Sequence, residues 1–186
     1  MSNDGLPKGL LVESGANRLH IGGTTRKKGW QVLNVVPADY VDHVGDLRDL
    51  SAFADGSFDM VYASHVMEHL GYQKDLKSAV ASIGRILRKG GRFFISVPDL
   101  EVLCRLFAHP QADRELRFAV MRMMFGGQLD PHDFHYVGLW DDYLAHLLFS
   151  SGFEDVFRVQ EFPFFEDTSR TKVAGTLISL NMVAVK

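Results

Sequence analysis

The sequence predicts an α/β fold with a mainly parallel sheet that finishes in an antiparallel strand pair. Short apolar runs that end in Gly or Pro alternate with segments of helical periodicity, an order typical of parallel sheets. The run Arg92 to Val97 (RFFISV) is almost continuously apolar, as expected of a strand buried on both faces. The last two strand-like runs, Val156 to Phe162 and Leu177 to Val185, have no helical pattern between them. They therefore form an antiparallel pair most simply.

The N-terminal half of the predicted sheet has unusually short connections. Gly23 to Gly29 and Val36 to Val41 are too short for crossover helices, because parallel neighbours normally need about a dozen linking residues. We therefore expect the first helices to be minimal or absent. The N-terminal segment, the insert after Asp99 or another subunit would then cover the bare strand surface. The predicted strands in this half are Arg18 to Gly22, Gln31 to Val36 and Phe58 to Ala63.

Helical periodicity returns after the third strand. Apolar residues between Leu76 and Leu87 recur at helical spacing, and Lys89-Gly90-Gly91 supplies the stop signal. Asp99 is a candidate cap for the next helix. Further helices are predicted around 112–124 and 140–150. We predict a single domain over residues 1–186, with a substrate-side insert at 99–139 within it.

Composition narrows the class of protein. With 46% hydrophobic and 23% charged residues, the chain of 186 residues matches one ordinary globular domain. A net charge of -3 and a pI of about 6.2 do not favour nucleic-acid binding. Cys104 is the single cysteine, which suits a reducing compartment. The start MSNDGLPKG lacks a signal-peptide pattern, and no apolar run reaches the roughly 20 residues of a membrane span. We expect a cytoplasmic protein that binds neither nucleic acid nor membrane.

Four motifs occur in a characteristic order along the chain. They are HIGG (20–23), VGDLRDL (44–50), SFDMVYASHVMEHL (57–70) and LRKGGRFFISVPDL (87–100). Together with the terminal strands, this set resembles the class I S-adenosylmethionine-dependent methyltransferases, from about Arg18 to the end. Small predicted methyltransferases that share "LHIG…GW", "SFD…ASHV.EHL" and "FGGQ…DFH" look most similar. The resemblance implies a Rossmann-like fold, S-adenosylmethionine as cofactor and transfer of its methyl group.

The resemblance also implies a set of cofactor-binding residues. Gly22-Gly23 match the loop whose backbone lies against the methionine end of the cofactor. Asn34 stands where an acidic residue usually binds the ribose hydroxyls. Asp46-Leu47 match the pair that contacts adenine, and Ser64 and His65 border the sulfonium region. Ligands bind at the carboxyl ends of strands in open α/β sheets, which agrees with these positions.

Two departures from the family pattern support a second hypothesis. The loop lacks its last glycine, with Thr24 in that neighbourhood, and Asn34 gives up a charge-assisted hydrogen bond about twice as strong as a neutral one. The alternative is a catalytically inactive methyltransferase-like binding or assembly module. An open cleft shared by Gly22, Asn34 and Asp46 would favour the enzyme. The same departures disfavour a nicotinamide cofactor.

Histidines supply the candidate catalytic groups. Methyl transfer to oxygen requires removal of the hydroxyl proton, and neutral imidazole suits that step near pH 7. His135 is the candidate general base, with anchoring of its loop as the structural alternative. Glu68 and His69 resemble an acid and base next to the cofactor, and could equally be paired structurally.

The acceptor is expected to be a small molecule or a sugar, with a sugar hydroxyl preferred because relatives of this kind look like enzymes of surface-glycan metabolism. Asp99, Tyr136 and Arg26 are the predicted substrate residues. Tyr136 could orient the acceptor, and the basic run Arg26 to Lys28 could hold an anionic group. A solvated turn is the alternative for that run.

Three further hypotheses concern metal, packing and assembly. Glu68 and His69, with residues of HDFHYVG (132–138), could make a metal site. Since no dense ligand spacing supports it, we assign no metal. Phe153, Phe157, Phe162, Phe164 and Phe165 are expected to be mostly packing, although Phe164 and Phe165, if exposed, would mark a lid or a subunit contact. A homodimer is a hypothesis that rests on the pared-down sheet.

Overall fold

A seven-stranded sheet organises the fold. The computed structural model describes residues 15–186, and its strand order is β3-β2-β1-β4-β5-β9-β6. Neighbours from β3 to β5 pair in parallel, which confirms the predicted α/β class. A separate small hairpin joins β7 and β8. The strands are β1 (Arg18–Ile21), β2 (Gln31–Asn34), β3 (His43–Val44), β4 (Phe58–Ser64), β5 (Leu87–Pro98), β6 (Asp155–Val159), β7 (Lys172–Val173), β8 (Thr176–Leu177) and β9 (Ser179–Val185).

The last strand enters the sheet antiparallel to its neighbours. β9 lies between β5 and β6 and pairs antiparallel with both of them. This confirms the predicted antiparallel finish. The predicted run to Phe162 ends as a strand at Val159, because the chain there leaves the sheet edge and turns back over its face.

The α-helices of the described part of the chain are α1 (Asp75–Ile86), α2 (Leu100–Ala108), α3 (Arg114–Phe125) and α4 (Asp141–Ser150). Asp99 caps α2 as predicted, since its carboxylate accepts a hydrogen bond from the Val102 N–H at 3.1 Å. Helices α2 and α3 occupy the segment 99–139, whose substrate-side role stays a prediction. Within residues 15–186, no helix has the length and apolar character to cross a bilayer.

The two faces of the sheet are covered differently. Strand alternation sends Leu19, Val61 and Phe93 to the face that packs against α1 and α4. No helix connects β1 to β2 or β2 to β3, as the short connections predicted. The opposite face is covered instead by residues 162–165, which we call the aromatic segment.

The aromatic segment packs on the sheet at β4 and β5. Phe162, Phe164 and Phe165 are buried, with exposed fractions of 0%, 5% and 8%, against Tyr62 and Phe94 of the sheet. This cluster contains no residue of the insert after Asp99. Cover by a second subunit stays a prediction, and cover by residues 1–14 lies outside the described residues. Since Phe164 and Phe165 are buried, they do not form an exposed lid.

His20 is buried within this aromatic packing. Its ring centroid lies 4.0 Å from that of Phe165 and 5.1 Å from that of Tyr62. Its Nδ1 has no hydrogen-bond partner among residues 15–186, and burial lowers the pKa of the imidazole from 6.5 to about 4. The folded protein therefore holds His20 neutral over a pH range in which the unfolded chain protonates it.

We expect His20→Phe to reduce the acid sensitivity of the fold. Below pH 6.5 the unfolded state binds the additional proton, so stability falls as the pH drops from 6.5 toward 4. With a folded pKa of about 4, His20 accounts for roughly 2 kcal/mol of the loss between pH 7 and pH 5. Urea unfolding at the two pH values measures it. His146→Gln, at an exposed histidine, is the control, and an equal loss in wild type and His20→Phe would contradict the assignment.

Candidate cofactor pocket and histidine–glutamate cluster

A pocket opens at the carboxyl ends of β1 and β2, where ligands bind in open α/β sheets. Its cavity volume is about 190 Å³. A single water needs roughly 10–15 Å³, so the pocket has room for a small molecule. The residues that line it are Ile21, Gly22, Leu33, Asn34, Val35, Gly45, Asp46, Leu47, Arg48, Val66, His69, Leu70, Pro131, His132 and Tyr136.

Gly22 closes the end of β1 in a conformation that favours glycine. Its φ is +73°, and its N–H donates to the Leu33 carbonyl at 2.8 Å. A Cβ at this position would overlap the Cγ2 atom of Val66. The glycine therefore lets the loop lie tight against the segment that follows β4.

Asn34 ties the glycine loop to the next connection. Its side-chain amide donates to the Gly23 carbonyl at 2.9 Å, and its oxygen accepts from the Val36 N–H at 3.0 Å. One amide hydrogen and one oxygen lone pair remain for a ligand. The predicted contact with a ribose would have to use these remaining sites.

Asp46 presents an ionised carboxylate to the pocket. The Arg48 guanidinium bonds it through Nε at 3.0 Å and through an Nη atom at 2.5 Å. The side-chain hydrogen bond from Arg48 is the main cause that lowers the pKa of Asp46. Next to it, Leu47 is buried and supplies an apolar wall. A carboxylate has roughly four acceptor sites, and the backbone N–H and guanidinium of Arg48 contact both oxygens, so a ligand amine would bind Asp46 by displacing a contact from Arg48.

Six of the sequence-predicted site residues meet in or beside this pocket, and others lie outside its lining. Arg26 lies 3.5 Å from Asp42 in an ion pair. Asp99 is 1% exposed, and in addition to capping α2 it accepts a hydrogen bond from Arg158 at 2.8 Å. The predicted residues that line the pocket are Gly22, Asn34, Asp46, Leu47, His69 and Tyr136, while Gly23, Ser64 and His65 do not line it. The functional roles of all of them stay predictions.

A histidine–glutamate cluster, formed by His65, Glu68, His69 and His135, adjoins one wall of the pocket. The first three follow β4, and His69 ends a short 3₁₀ helix over Met67–His69. His135 comes from the loop after α3. The Tyr136 N–H donates to the Glu68 carbonyl at 2.8 Å, which fixes the two segments together.

Glu68 is the most deeply buried member of the cluster. It is 1% exposed, and neither carboxylate oxygen has a hydrogen-bond partner among the described residues. The facing nitrogens are His65 Nδ1 at 3.4 Å and His135 Nε2 at 4.0 Å. Burial raises the pKa of Glu68 to about 8 and lowers that of His65 to about 4; burial also lowers the pKa of His135.

Two histidines of the cluster have their tautomers set by backbone carbonyls. His69 Nδ1 lies 3.0 Å from the Phe134 oxygen, and His135 Nδ1 lies 2.9 Å from the Met123 oxygen. A carbonyl can only accept, so each Nδ1 carries the hydrogen. In the neutral imidazoles, Nε2 is then left with a lone pair.

In His65 the outer hydrogen bond is made by Nε2 instead of Nδ1, so Nδ1 is the nitrogen that faces the cluster. Its Nε2 lies 2.9 Å from Ser179 Oγ, which donates its own hydrogen to the Thr168 carbonyl at 2.9 Å. Ser179 must therefore accept from Nε2, and Nδ1 of neutral His65 keeps a lone pair toward Glu68. The cluster is a group of electron-pair donors beside the pocket.

Comparison with known families agrees with this geometry. Residues 24–95 match the profile of a family described as a methyltransferase domain, a span that includes most of the pocket lining. Over these residues the chain is similar to methyltransferase domains. The resemblance seen in the sequence is thereby confirmed.

Solved structures described as methyltransferases have a similar fold. A SAM-dependent methyltransferase from Archaeoglobus fulgidus is 14% identical with a TM-score of 0.59, over 92% of this chain and 87% of that one. A possible histamine N-methyltransferase from Thermotoga maritima is 17% identical with a TM-score of 0.54, over 96% and 85%. An N1-methyltransferase from Burkholderia thailandensis, with bound 1,6-didemethyltoxoflavin and S-adenosylhomocysteine, is 19% identical with a TM-score of 0.54, over 91% and 70%. No curated protein sequence matches the chain.

The residues of the pocket fit the expected cofactor. Leu33, Leu47 and Leu70 give apolar walls for an adenine ring, and the Asp46 carboxylate could accept from its amine in place of a contact from Arg48. S-adenosylmethionine, when bound, supplies an electrophilic methyl group. Sequence reasoning missed Arg48 at the pocket and the grouping of His65 with Glu68 and His69, although their i, i+3, i+4 spacing was a signal that they share a face.

Proposed function

We propose that this methyltransferase domain methylates a hydroxyl group of a small-molecule or sugar acceptor. The observation that carries the proposal is the position of His69 and Tyr136. Both line the pocket assigned to the cofactor, and His69 also belongs to the histidine–glutamate cluster. The groups that can handle a proton are therefore beside the place where the methyl group would be presented.

A shallow groove next to the pocket is the proposed acceptor site. It is lined by residues 71–75 and by Tyr136, which also lines the cofactor pocket, and its volume is about 260 Å³. Tyr72 and Tyr136 are 58% and 59% exposed. Exposed aromatic faces with Gln73, Lys74 and Asp75 around them suit a sugar, which has apolar C–H faces and hydroxyl edges.

The cluster supplies the acid–base chemistry. The new oxygen–carbon bond forms as the carbon–sulfur bond of the cofactor breaks, and the acceptor hydroxyl must lose its proton. Neutral His69 can take that proton on Nε2, because its Nδ1 hydrogen is held by the Phe134 carbonyl. Base catalysis contributes about 10²–10⁴-fold, and correct positioning of the acceptor contributes more.

The structural neighbours support a small acceptor. The Burkholderia thailandensis protein has 1,6-didemethyltoxoflavin and S-adenosylhomocysteine bound, and the Thermotoga maritima protein is described as a possible histamine N-methyltransferase. Both acceptors are compact molecules. A groove the size of the one beside Tyr136 suits an acceptor of that class.

The inactive module remains the second candidate. Two observations favour it. The side chain of Asn34 already makes two hydrogen bonds to neighbouring loop residues, and Arg48 already occupies most of the acceptor sites of the Asp46 carboxylate. A protein of this kind would bind S-adenosylhomocysteine weakly or not at all, and it would transfer no methyl group.

We expect Tyr72→Ala to impair acceptor binding selectively. Loss of the exposed ring should raise the acceptor KM about tenfold, since an aromatic contact contributes roughly 1 kcal/mol or more, and leave the Kd for S-adenosylhomocysteine unchanged. The assay follows S-adenosylhomocysteine release with monosaccharides and nucleotide sugars as acceptors. Phe118→Ala, at an exposed ring on α3, is the matched control. Cofactor binding without transfer to any hydroxyl compound would favour the inactive module.

A further inference from the structure

We propose that the histidine–glutamate cluster binds one divalent transition-metal ion. Donor atoms of Glu68, His69 and His135 all lie within 4.8 Å of one another. Two donors in a tetrahedral zinc site are roughly 3.3–3.6 Å apart, since each lies about 2.0–2.2 Å from the metal. Closure of the side chains would therefore bring these three groups to a common ion, and His65 Nδ1, 3.4 Å from Glu68, lies beside them.

The unpartnered carboxylate is the second observation that points to a cation. Both oxygens of Glu68 are buried without a hydrogen-bond donor. Buried polar groups are almost always satisfied, so a pair of orphaned carboxylate oxygens calls for a missing partner. A metal ion supplies that partner without any rearrangement of the backbone.

The outer contacts of the histidines match those of metal ligands. Metal-bound imidazole usually donates its other N–H to a carbonyl or another acceptor, which fixes the ring and its tautomer. His69 and His135 do this to the Phe134 and Met123 carbonyls. His65 does it to Ser179 Oγ. In all three rings the nitrogen without a hydrogen is the one left for the interior of the cluster.

The donor set selects a class of ion. Imidazole with one carboxylate suits zinc, iron, cobalt or nickel, whereas magnesium and calcium prefer oxygen ligands and water. His132, which the HDFHYVG motif also offered, is exposed in the pocket wall and is not part of the cluster. The alternative to a metal is a proton shared between Glu68 and one imidazole.

The role of the ion in methyl transfer rests on the proposed function. A divalent ion lowers the pKa of a hydroxyl or water that it contacts, which would activate an acceptor beside Tyr136. His69 would then serve as a ligand rather than as the base. Binding of the ion itself requires neither cofactor nor acceptor, so it can be tested separately.

The test is calorimetric titration of tag-free, chelator-treated protein with zinc chloride. We expect one zinc ion per chain with a Kd of about 1 μM or lower. Glu68→Gln, which keeps the side-chain shape, and His135→Gln should each weaken binding at least tenfold or so. His146→Gln, at an exposed histidine on α4, should leave it unchanged. Zinc binding that survives both cluster substitutions would overturn the proposal.

Cobalt gives a readout that needs no variant. Binding of Co²⁺ to wild type should produce visible absorption bands that zinc abolishes, and their absence overturns the site even if Glu68→Gln does not fold. Circular dichroism checks the fold of each variant. Metal binding without methyl transfer would remove the proposed function and leave this site standing. Methyl transfer by a protein that binds no metal would overturn the metal site, leave the proposed function standing and favour a proton shared between Glu68 and one imidazole.

Discussion

Asp46→Ala should weaken binding of S-adenosylhomocysteine by about 10- to 100-fold. A hydrogen bond to an ionised acceptor contributes about 1.5–3 kcal/mol, and the substitution removes the carboxylate that we assign to the adenine amine. It also frees Arg48 from its ion pair, but that pair is largely exposed and contributes little to folding. The stability of the variant should therefore stay close to that of wild type. Calorimetric titration measures the binding.

Asp49→Ala is the matched control for this prediction. Asp49 lies three residues further along the same segment, is exposed and does not line the pocket. Its removal should leave the Kd unchanged. Equal affinities for wild type and Asp46→Ala would place the adenine elsewhere. A folded wild type that binds no S-adenosylhomocysteine would favour the inactive module.

Phe162→Ala is expected to cost the fold about 3–5 kcal/mol of unfolding free energy. The ring is 0% exposed and contacts Tyr62, Phe94 and Phe164, with centroids 5.5, 5.8 and 6.0 Å away. Its removal leaves a cavity between the aromatic segment and the sheet, where no helix can move in to fill it. Urea unfolding of wild type and variant gives the difference.

Phe149→Ala tests whether that loss reflects burial rather than the loss of any phenylalanine. Phe149 lies on α4 and is 50% exposed, so its removal should change the unfolding free energy by about 0.5 kcal/mol or less. If both variants lost the same amount, the aromatic segment would not be the structural cover that we describe.

The fold was predictable where the information is local. The apolar run RFFISV indicated a strand buried on both faces, and the helical spacing from Leu76 indicated α1 within one residue of its observed start. The short lengths of the connecting segments alone indicated that β1, β2 and β3 are joined without helices. These features depend on periodicity and on the reach of the chain, which a sequence displays directly.

The cover of the sheet was not predictable by the same means. Residues 162–165 pack on Tyr62, about a hundred positions away in the chain. A cluster of phenylalanines in a sequence indicates burial but does not indicate which surface it packs against. The Asp167 carboxylate accepts a hydrogen bond from the Tyr62 hydroxyl at 2.6 Å, which anchors the segment. Such a contact has no periodic signal in the sequence.

The site was predicted in part for a similar reason. Asp46 and Gly22 follow strands in known positions, so topology alone brings them to one edge of the sheet. The grouping of His65 with Glu68, His69 and His135 depends on a loop that returns from α3 and on side-chain hydrogen bonds to distant carbonyls. The spacing of His65, Glu68 and His69 indicated that they share a face, but nothing in the sequence indicated that His135 lies beside them.

The central position of β9 constrains the order in which this chain can fold. β6 reaches the sheet only through β9, which comes last among the described strands and pairs with β5 more than eighty residues earlier in the sequence. The pairings among β1, β4 and β5 can form first, but the edge strand β6 can join the sheet only after β9 has paired with β5. Contacts of such high sequence separation slow folding. Until β9 pairs with it, the edge of β5 has unpaired backbone N–H and C=O groups that can pair with strands of other chains.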